Sequence, residues 1–264
     1  VTEHVKIGDA PADFQRLAPS FTVSLQPWQE QLLFLRLMYK STFRMPTFND
    51  LYYYRLGNRS LRPEKANEYN MGITWSRSFS SFLNYLSVTV DGYYNDVTDK
   101  IVAFPTTYAW KMANYGKVHV TGMDATLAAA ASLGKNMVLV VSGGYTRQKA
   151  IDLTDATSKS YKDQLPYTPK HSGNVSAVLE MPWVNVGYSI VGVSERYSMS
   201  QNIPENRIDG YMEHTVSLSR NFSFRHCKLR LQAEIINLTD TQYDVIKYYP
   251  MPGRSWRLTG TIEF

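Results

Sequence analysis

The sequence has few of the residues and patterns that mark several large classes of protein. Its 264 residues contain one cysteine, Cys227, which excludes an internal disulfide and a zinc site built from cysteine clusters. It contains no run of about 18 apolar residues, so it predicts no transmembrane helix. The net charge is only +5 and no block of lysine and arginine stands out. We therefore expect no nucleic-acid partner.

The signatures of common enzymes are missing as well. The sequence has no Gly-x-Ser-x-Gly, no Walker loop and no dinucleotide-binding fingerprint. The acidic stretch 154–163 lacks the regular oxygen spacing of a calcium loop. The histidines are dispersed, and none has metal-ligand spacing to a second ligand: they are His4, His119, His171, His214 and His226. We therefore expect no catalytic activity, no bound metal and no cofactor.

What the chain does have is tyrosine and strict alternation. Aromatic residues make up 13%, 19 residues are tyrosines, and the mean hydropathy is −0.32. This composition suits half-buried β-strands and disfavours a parallel α/β sheet, whose strands are apolar on both faces. In "CKLRLQAEI", leucine, alanine and isoleucine from Leu229 to Ile235 alternate with charged or amide residues from Lys228 to Glu234. Such a period of two predicts strands.

Eleven segments carry this signal, and no helical repeat or low-complexity segment interrupts them. The alanine-rich stretch 125–133 has helix propensity, but it continues the alternating segment before it, so we predict strand there. The predicted strands are 20–28, 31–44, 67–77, 84–100, 117–133, 136–150, 172–181, 184–199, 209–222, 226–240 and 255–264.

Short and long connections between these strands alternate strictly along the chain. The long ones are residues 44–66, 101–116, 151–171, 200–208 and 241–254. A barrel that crosses a membrane has tight turns at one rim and long loops at the other. Several predicted strands also exceed the five or six residues usual in globular sheets, and about 9–11 residues cross a bilayer. The sequence therefore predicts an all-β fold of antiparallel transmembrane strands with long extracellular loops and short periplasmic turns.

The two rows of side chains then meet different surroundings. The apolar rows would face lipid, and the charged and hydroxyl rows would line a wet interior. A soluble barrel or sandwich has the same alternation turned inside out, so the loop asymmetry and the final Phe264 favour the membrane barrel. Arg220 falls on the lipid row near the short turns, where it would snorkel to the interface. His119 and His214 fall on strands, and we expect them at the lumen or the rim.

Three motifs in order resemble the C-terminal half of the barrel of a TonB-dependent outer-membrane receptor. They are "FRMP…NDLYY…GNRSLRPE…NEYNMGI" (43–73), "NYGKVHVTGMDATL" (114–127) and "INLTDTQYDVIKYYPMPGRSWRLTGTIEF" (236–264). The motif residues to which the resemblance gives a structural role are Phe43, Arg44, Pro46, Leu51, Gly57, Asn58, Pro63, Glu64, Asn237, Pro252, Gly253, Arg254 and Phe264.

The resemblance implies a 22-stranded barrel around a plug, of which residues 1–264 are the C-terminal part without plug or N-terminal half. The first residues lack a signal peptide. An open half-sheet would expose two edges to lipid, so we expect a fragment or one chain of a split receptor. The implied partners are the outer-membrane bilayer, the remainder of the barrel and plug, TonB through that plug, and a small ligand. The implied location is the outer membrane.

The implied function is active uptake of a scarce ligand of the siderophore-iron, cobalamin or oligosaccharide class. Haem is less expected, because no histidine lies between Phe43 and Tyr69. The candidate ligand contacts are aromatic and basic residues of the outer loops: Tyr52, Tyr53, Tyr54, Arg55, Arg59, Tyr108, Trp110 and Tyr115, with Tyr161 and Tyr167 as secondary candidates.

The same residues also suit different roles. The three consecutive tyrosines equally suit an interfacial aromatic girdle or packing of the loop on its neighbours. The loop arginines equally suit lipid headgroups or pairing with glutamates. A passive porin or adhesin barrel, or a soluble β-sandwich binding module, would also carry these strands.

Overall fold

The computed structural model describes residues 16–28, 32–80, 82–105, 109–134, 136–225 and 227–263. Eleven strands form one sheet. The strands are numbered in chain order together with four short strands that lie outside this sheet. The sheet strands are β1 (Ser20–Leu25), β2 (Leu32–Arg44), β3 (Glu64–Ser78), β4 (Leu83–Pro105), β5 (Trp110–Gly134), β6 (Met137–Asp152), β7 (His171–Glu180), β8 (Asn185–Val193), β11 (Tyr211–Ser223), β12 (Lys228–Ile236) and β15 (Ser255–Glu263).

All neighbouring strands of the sheet are antiparallel and follow one another along the chain. Two small hairpins stand apart from it in the last two long connections. They are β9 (Arg196–Tyr197) with β10 (Arg207–Ile208), and β13 (Asp244–Ile246) with β14 (Tyr249–Pro250). The described helices are α1 (Phe48–Tyr52) and a 3₁₀ turn (Pro204–Asn206). The prediction of an all-β antiparallel fold is confirmed, and each of the eleven predicted strands has its counterpart in the sheet.

The second long connection differs from the prediction. Strand β4 continues to Pro105 and β5 begins at Trp110, so the expected loop 101–116 is mostly paired strand. The reason is tertiary packing: Ile101 and Met112 are buried against Leu61 of the preceding connection. Trp110 and Tyr115 therefore lie in a strand and not in a loop.

Buried apolar residues are concentrated at one end of the sheet. Val118 is fully buried, and Ala66, Val97, Val120 and Ala150 pack around it from neighbouring strands. Along the rest of the sheet, large apolar side chains are exposed on one face: examples are Leu37, Met71, Met123, Val175, Leu218 and Leu258. No helix among the described residues is long and apolar enough to cross a membrane.

The sheet is open at both sides. In the described part of the chain, β1 pairs only with β2, and β15 pairs only with β12. Each outer strand therefore presents a row of backbone groups without a strand partner.

Candidate functional site

The strand register gives the sheet one polar and one apolar face. On the polar face, Arg36 Nη2 lies 2.8 Å from Asp91 Oδ1, and the pair bridges the intervening strand above Gly72. Further along, Arg257 Nε lies 2.6 Å from Glu234 Oε2. The exposed leucines, methionines and valines occupy the other face. The polar face thus carries ion pairs between charged side chains on different strands.

The five long connections all leave the same end of the sheet, which we call the long-connection end. One of them, residues 153–170, folds back over the polar face. Leu165 donates its N–H to the Ala150 carbonyl at 2.8 Å and packs against Val118. Gln164 is buried, and its side-chain oxygen accepts from the Ala150 N–H at 3.1 Å. The connection is therefore a fixed cap on the polar face.

The first long connection, residues 45–63, contains the short helix α1. Thr47 and Asp50 form a capping box: the Asp50 N–H donates to Thr47 Oγ1 at 3.2 Å, and the Thr47 N–H donates to the Asp50 carboxylate at 2.9 Å. This arrangement satisfies two free N–H groups of the helix start. Arg44 of β2 lies 3.7 Å from both Asp50 and Glu64, so it ties the connection to β2 and joins β2 to β3.

A tight turn follows the helix and docks onto β5. A Cβ on Gly57 would lie 2.7 Å from the Tyr53 nitrogen and 2.8 Å from the Leu51 carbonyl, so only glycine fits there. Asn58 Nδ2 donates to the Met112 carbonyl at 3.0 Å, and Leu51 packs on the cluster around Leu61. Of the other motif residues, Phe43 lies in β2 while Pro46 and Pro63 are half-buried.

The three consecutive tyrosines lie at the helix end and the following turn. Tyr52, Tyr53 and Tyr54 are 38%, 60% and 79% exposed. Arg59 lies over the Tyr52 ring at 5.4 Å, and Arg55 lies over the Tyr54 ring at 5.2 Å. The structure thus brings these five predicted residues into one exposed aromatic and cationic surface, which we call the Tyr–Arg surface. Its role in ligand binding stays a prediction.

The remaining aromatic candidates lie elsewhere at the same end. Trp110 packs against Tyr167 with ring centroids 5.6 Å apart, and the Tyr115 hydroxyl lies 2.7 Å from Ser200 Oγ. Tyr108 lies outside the described residues. Among those described, no ring contact joins Trp110 or Tyr115 to the Tyr–Arg surface.

The last two connections meet in a cluster that no sequence motif indicated. Arg196 is 5% exposed, and its Nη2 donates to the carbonyls of Asp244 at 2.6 Å and Val245 at 3.0 Å. Tyr211 stacks on Tyr243 at 3.9 Å, and the Tyr243 hydroxyl donates to Glu213 at 2.5 Å. Burial and then the Glu213 carboxylate raise the pKa of Tyr243. These contacts lock the two hairpins to β11.

The final motif is held in place by its own hydrogen bonds. Asn237 is fully buried at a positive φ of 53° and exchanges hydrogen bonds with the backbone of Thr241, both at 2.9 Å. It also donates to the Pro252 carbonyl at 3.4 Å. A Cβ on Gly253 would lie 2.5 Å from Asp240 Oδ1, and Arg254 Nε donates to the Leu238 carbonyl at 3.0 Å. Phe264 lies outside the described residues.

An aromatic band crosses the apolar face. Tyr39, Tyr69, Tyr94 and His119 follow one another on four strands, with ring centroids 5.2, 6.1 and 5.4 Å apart. Two further pairs extend it, and each tyrosine hydroxyl lies 2.7 Å from the histidine Nδ1: they are Tyr145 with His171 and Tyr188 with His214. His119 and His214 thus lie on the apolar face and not on the lumen row.

No group of three or more potential metal ligands occurs among the described histidines, cysteines and carboxylates. What this end of the sheet offers is a set of rigidly anchored loops with exposed aromatic and cationic groups.

The model of the TonB dependent receptor-like β-barrel family matches residues 2–238. The chain belongs to this family. This membership confirms the predicted resemblance and, with it, a receptor and transport family.

Curated relatives and solved structures agree with the assignment. The chain is 26% identical to the vitamin B12 transporter BtuB of Photobacterium profundum over 230 residues, which are 84% of this chain and 34% of that protein. BtuB of Vibrio vulnificus is also 26% identical, over 84% of this chain and 33% of that protein. The chain therefore spans about a third of the length of these curated relatives.

Two solved structures share the fold. The copper transporter OprC superposes with a TM-score of 0.69 at 15% identity, covering 93% of this chain and 39% of that one. The ferric-catecholate import receptor Fiu of E. coli K12 gives 0.64 at 21% identity, covering 92% and 34%. At these identities the likeness establishes the architecture of the receptor barrel and no ligand.

Proposed function

We propose that this chain forms part of the wall and outer loops of an outer-membrane receptor that imports a scarce small ligand with energy delivered through TonB. One observation carries the proposal: the apolar side chains are exposed on one face of the sheet, while charged pairs such as Arg36–Asp91 occupy the other. In a membrane barrel the apolar face meets lipid and the polar face lines the interior. The aromatic band then marks the outer interface, because the long connections lie at that end.

The rest of the receptor would supply what this chain does not contain. The unpaired edges at β1 and β15 require neighbouring strands, since an unpaired backbone group in hydrocarbon costs several kcal/mol. The chain spans about a third of its curated relatives, which agrees with a plug and further strands encoded elsewhere in the receptor. We place TonB contact on that plug.

The Tyr–Arg surface is the proposed point of ligand capture. Flat aromatic faces with polar handles and adjacent guanidinium groups suit a bulky ligand that carries anionic or chelating groups. Siderophore-bound iron, cobalamin and oligosaccharides are all bulky ligands. Because two of the curated relatives are vitamin B12 transporters, cobalamin is the first compound to test.

The test is uptake by cells that carry the full-length receptor as their only route for the labelled compound. We expect uptake of cobalamin or a ferric siderophore that stops when the proton gradient is collapsed or TonB is deleted. Uptake that continues without either would contradict the proposal and favour a passive pore. Ferric siderophores and cobalamin serve as each other's specificity control.

A further inference from the structure

The apolar face has a depression beside the aromatic band. Gly173 of β7 and Gly192 of β8 are direct cross-strand partners. Tyr145 pairs with Gly173 on one side, and Met212 pairs with Gly192 on the other. These residues surround a mainly apolar groove of 440 Å³. We call it the glycine groove.

The groove exists because Gly173 and Gly192, which lie opposite each other on adjacent strands, both lack a side chain. Val175 and Ile190 close it towards the middle of the sheet. A Cβ on Gly173 would lie 2.9 Å from the Gly144 carbonyl oxygen, so the backbone approach itself requires glycine there. A Cβ on Gly192 meets nothing nearer than Met212 Cγ at 3.8 Å. Gly192 can therefore take a side chain that fills the groove without distorting the sheet.

Basic residues line the same face directly above the groove. Arg147 is the cross-strand partner of His171, and Lys149 follows it towards the long-connection end of β6. Lys117 of β5 follows on the same face, further towards the long-connection end, and all three side chains are exposed. None of the three forms an ion pair within the described part of the chain.

One carboxylate of the apolar face, that of Asp96, lies close to a histidine. Asp96 Oδ1 lies 3.2 Å from His119 Nε2 on the neighbouring strand. The exposed cations Arg147, Lys149 and Lys117 give this part of the face a positive charge. An anionic group would complement this positive charge.

We propose that this region binds a phosphorylated lipid of the outer leaflet, with an acyl chain in the glycine groove and a phosphate against Arg147, Lys149 and their neighbours. The inference rests on the membrane placement in the proposed function. In that placement Gly192 lies in the hydrocarbon region and the basic residues lie nearer the outer headgroups. Only a lipid has an apolar chain at the first depth and an anionic group at the second. A soluble partner would have to bury its surface in hydrocarbon to reach the groove.

The experiment uses the full-length receptor, purified and stripped of lipid in a neutral detergent. Binding of diphosphorylated lipid A is measured by native mass spectrometry and compared with its fully dephosphorylated counterpart. We expect the phosphorylated form to bind more tightly. The double variant Arg147→Ala, Lys149→Ala should weaken it by about thirtyfold, since each basic residue near an anionic lipid contributes a similar increment.

Two further variants separate the groove from the charge. Gly192→Leu should reduce binding of both lipid forms by filling the groove, while leaving the fold intact. The matched control is Arg77→Ala, Arg220→Ala, which removes two exposed arginines from the apolar face at its short-turn end. We expect this control to bind lipid as the wild type does.

Three outcomes would overturn the site: equal binding of the two lipid forms, equal loss in the control pair, or full displacement of the lipid by inorganic phosphate. Ligand uptake is measured in parallel. Loss of lipid binding at Gly192→Leu with normal uptake would support the lipid site. A receptor that binds lipid A as expected but imports nothing would contradict the proposed function and leave this site standing.

Discussion

At the scale of single residues, Gly72 shows how the sheet combines a continuous wall with charged pairs. Arg36 and Asp91 lie on the two strands that flank β3, and they meet above Gly72 only because it has no side chain. A Cβ there would lie 2.0 Å from Asp91 Oδ1 and 3.0 Å from Arg36 Nη2. The glycine therefore decides whether the pair can form.

We predict that Gly72→Ala separates this ion pair and destabilises the full-length receptor by about 1–3 kcal/mol, the usual cost of overpacking. Both partners are partly exposed, so most of this cost is steric and little of it is electrostatic. The measurement is chemical unfolding followed by tryptophan fluorescence. The control is Gly92→Ala, whose added Cβ would meet only the Met71 carbonyl oxygen at 4.0 Å. Equal destabilisation by the two variants would refute the steric argument.

The Tyr–Arg surface yields a prediction about binding. Replacing Tyr52, Tyr53 and Tyr54 by alanine removes three exposed rings and the cation–π partners of Arg55 and Arg59. If these rings capture the ligand, affinity for the transported compound should fall by about tenfold to a hundredfold. Equilibrium binding to whole cells measures this.

The matched control for the tyrosines is Trp183→Ala. Trp183 is 62% exposed in a short turn at the opposite end of the sheet. Unchanged affinity in the triple tyrosine variant would assign these rings to the interface or to loop packing. The experiment thus separates ligand capture from the other two roles that the sequence allows for these rings.

Tyr243 gives a prediction about pH. Burial and the Glu213 carboxylate raise its pKa above the ordinary 10.0, so the folded state holds the phenol proton more tightly than the unfolded state. The resulting stabilisation is fully present below pH 10.0 and declines as the pH rises towards the folded pKa. The stability difference between wild type and Tyr243→Phe should therefore shrink above pH 10.0. Tyr248→Phe, at a ring that is 82% exposed, is the matched control.

At the scale of elements, alternation alone predicted the strands because one face of each strand differs in polarity from the other. The stretch 125–133 shows the strength of this signal: its alanines favour helix, yet it lies in β5. The sequence did not predict the outer parts of β4 and β5, because these parts form strand only when a residue that is distant in the sequence packs on them. Ile101 and Met112 become buried only when Leu61 packs on them.

The cluster around Arg196 could not be found from the sequence for a related reason. Its members come from β9, β11 and the connection after β12, and no spacing links them along the chain. The pairing of β11 with β12 brings Tyr211 and Glu213 beside the last connection, and the pairing of β11 with β8 brings Arg196 close to both. The Tyr–Arg surface was accessible to prediction because its five residues lie within eight positions of one another.

The first connection is held to the β4–β5 hairpin by Asn114. Its side chain accepts from the Arg62 N–H at 2.8 Å and donates to the carbonyls of Arg62 at 3.0 Å and Asp99 at 2.6 Å. Asn114→Ala should loosen residues 45–63 and speed their proteolysis on the order of thirtyfold, given about 1 kcal/mol for each of the two hydrogen bonds lost to Arg62. Asn221→Ala, at an exposed residue near the short turns, is the control. Equal cleavage of both variants would show that Asn114 does not anchor the connection.

At the scale of the whole molecule, the sheet leaves its apolar face and both edges without protein cover in the described residues. Lipid would cover the apolar face, but it offers no hydrogen bonds to the edge strands β1 and β15. Only further strands can satisfy those edges. The edges, together with coverage of about a third of the curated relatives, support the prediction that the chain is one part of a larger barrel.

This prediction can be tested by expressing residues 1–264 alone, the remainder of the receptor alone, and both together as separate chains in the outer membrane. We expect neither part alone to give the heat-sensitive compact band of a closed barrel on a denaturing gel, because each has open edges. The two parts together should restore that band, and the full-length receptor is the positive control. A compact, heat-sensitive species from residues 1–264 alone would show that β1 and β15 can satisfy each other. The larger barrel would then not be required for closure, and a small self-contained barrel would account better for the sheet.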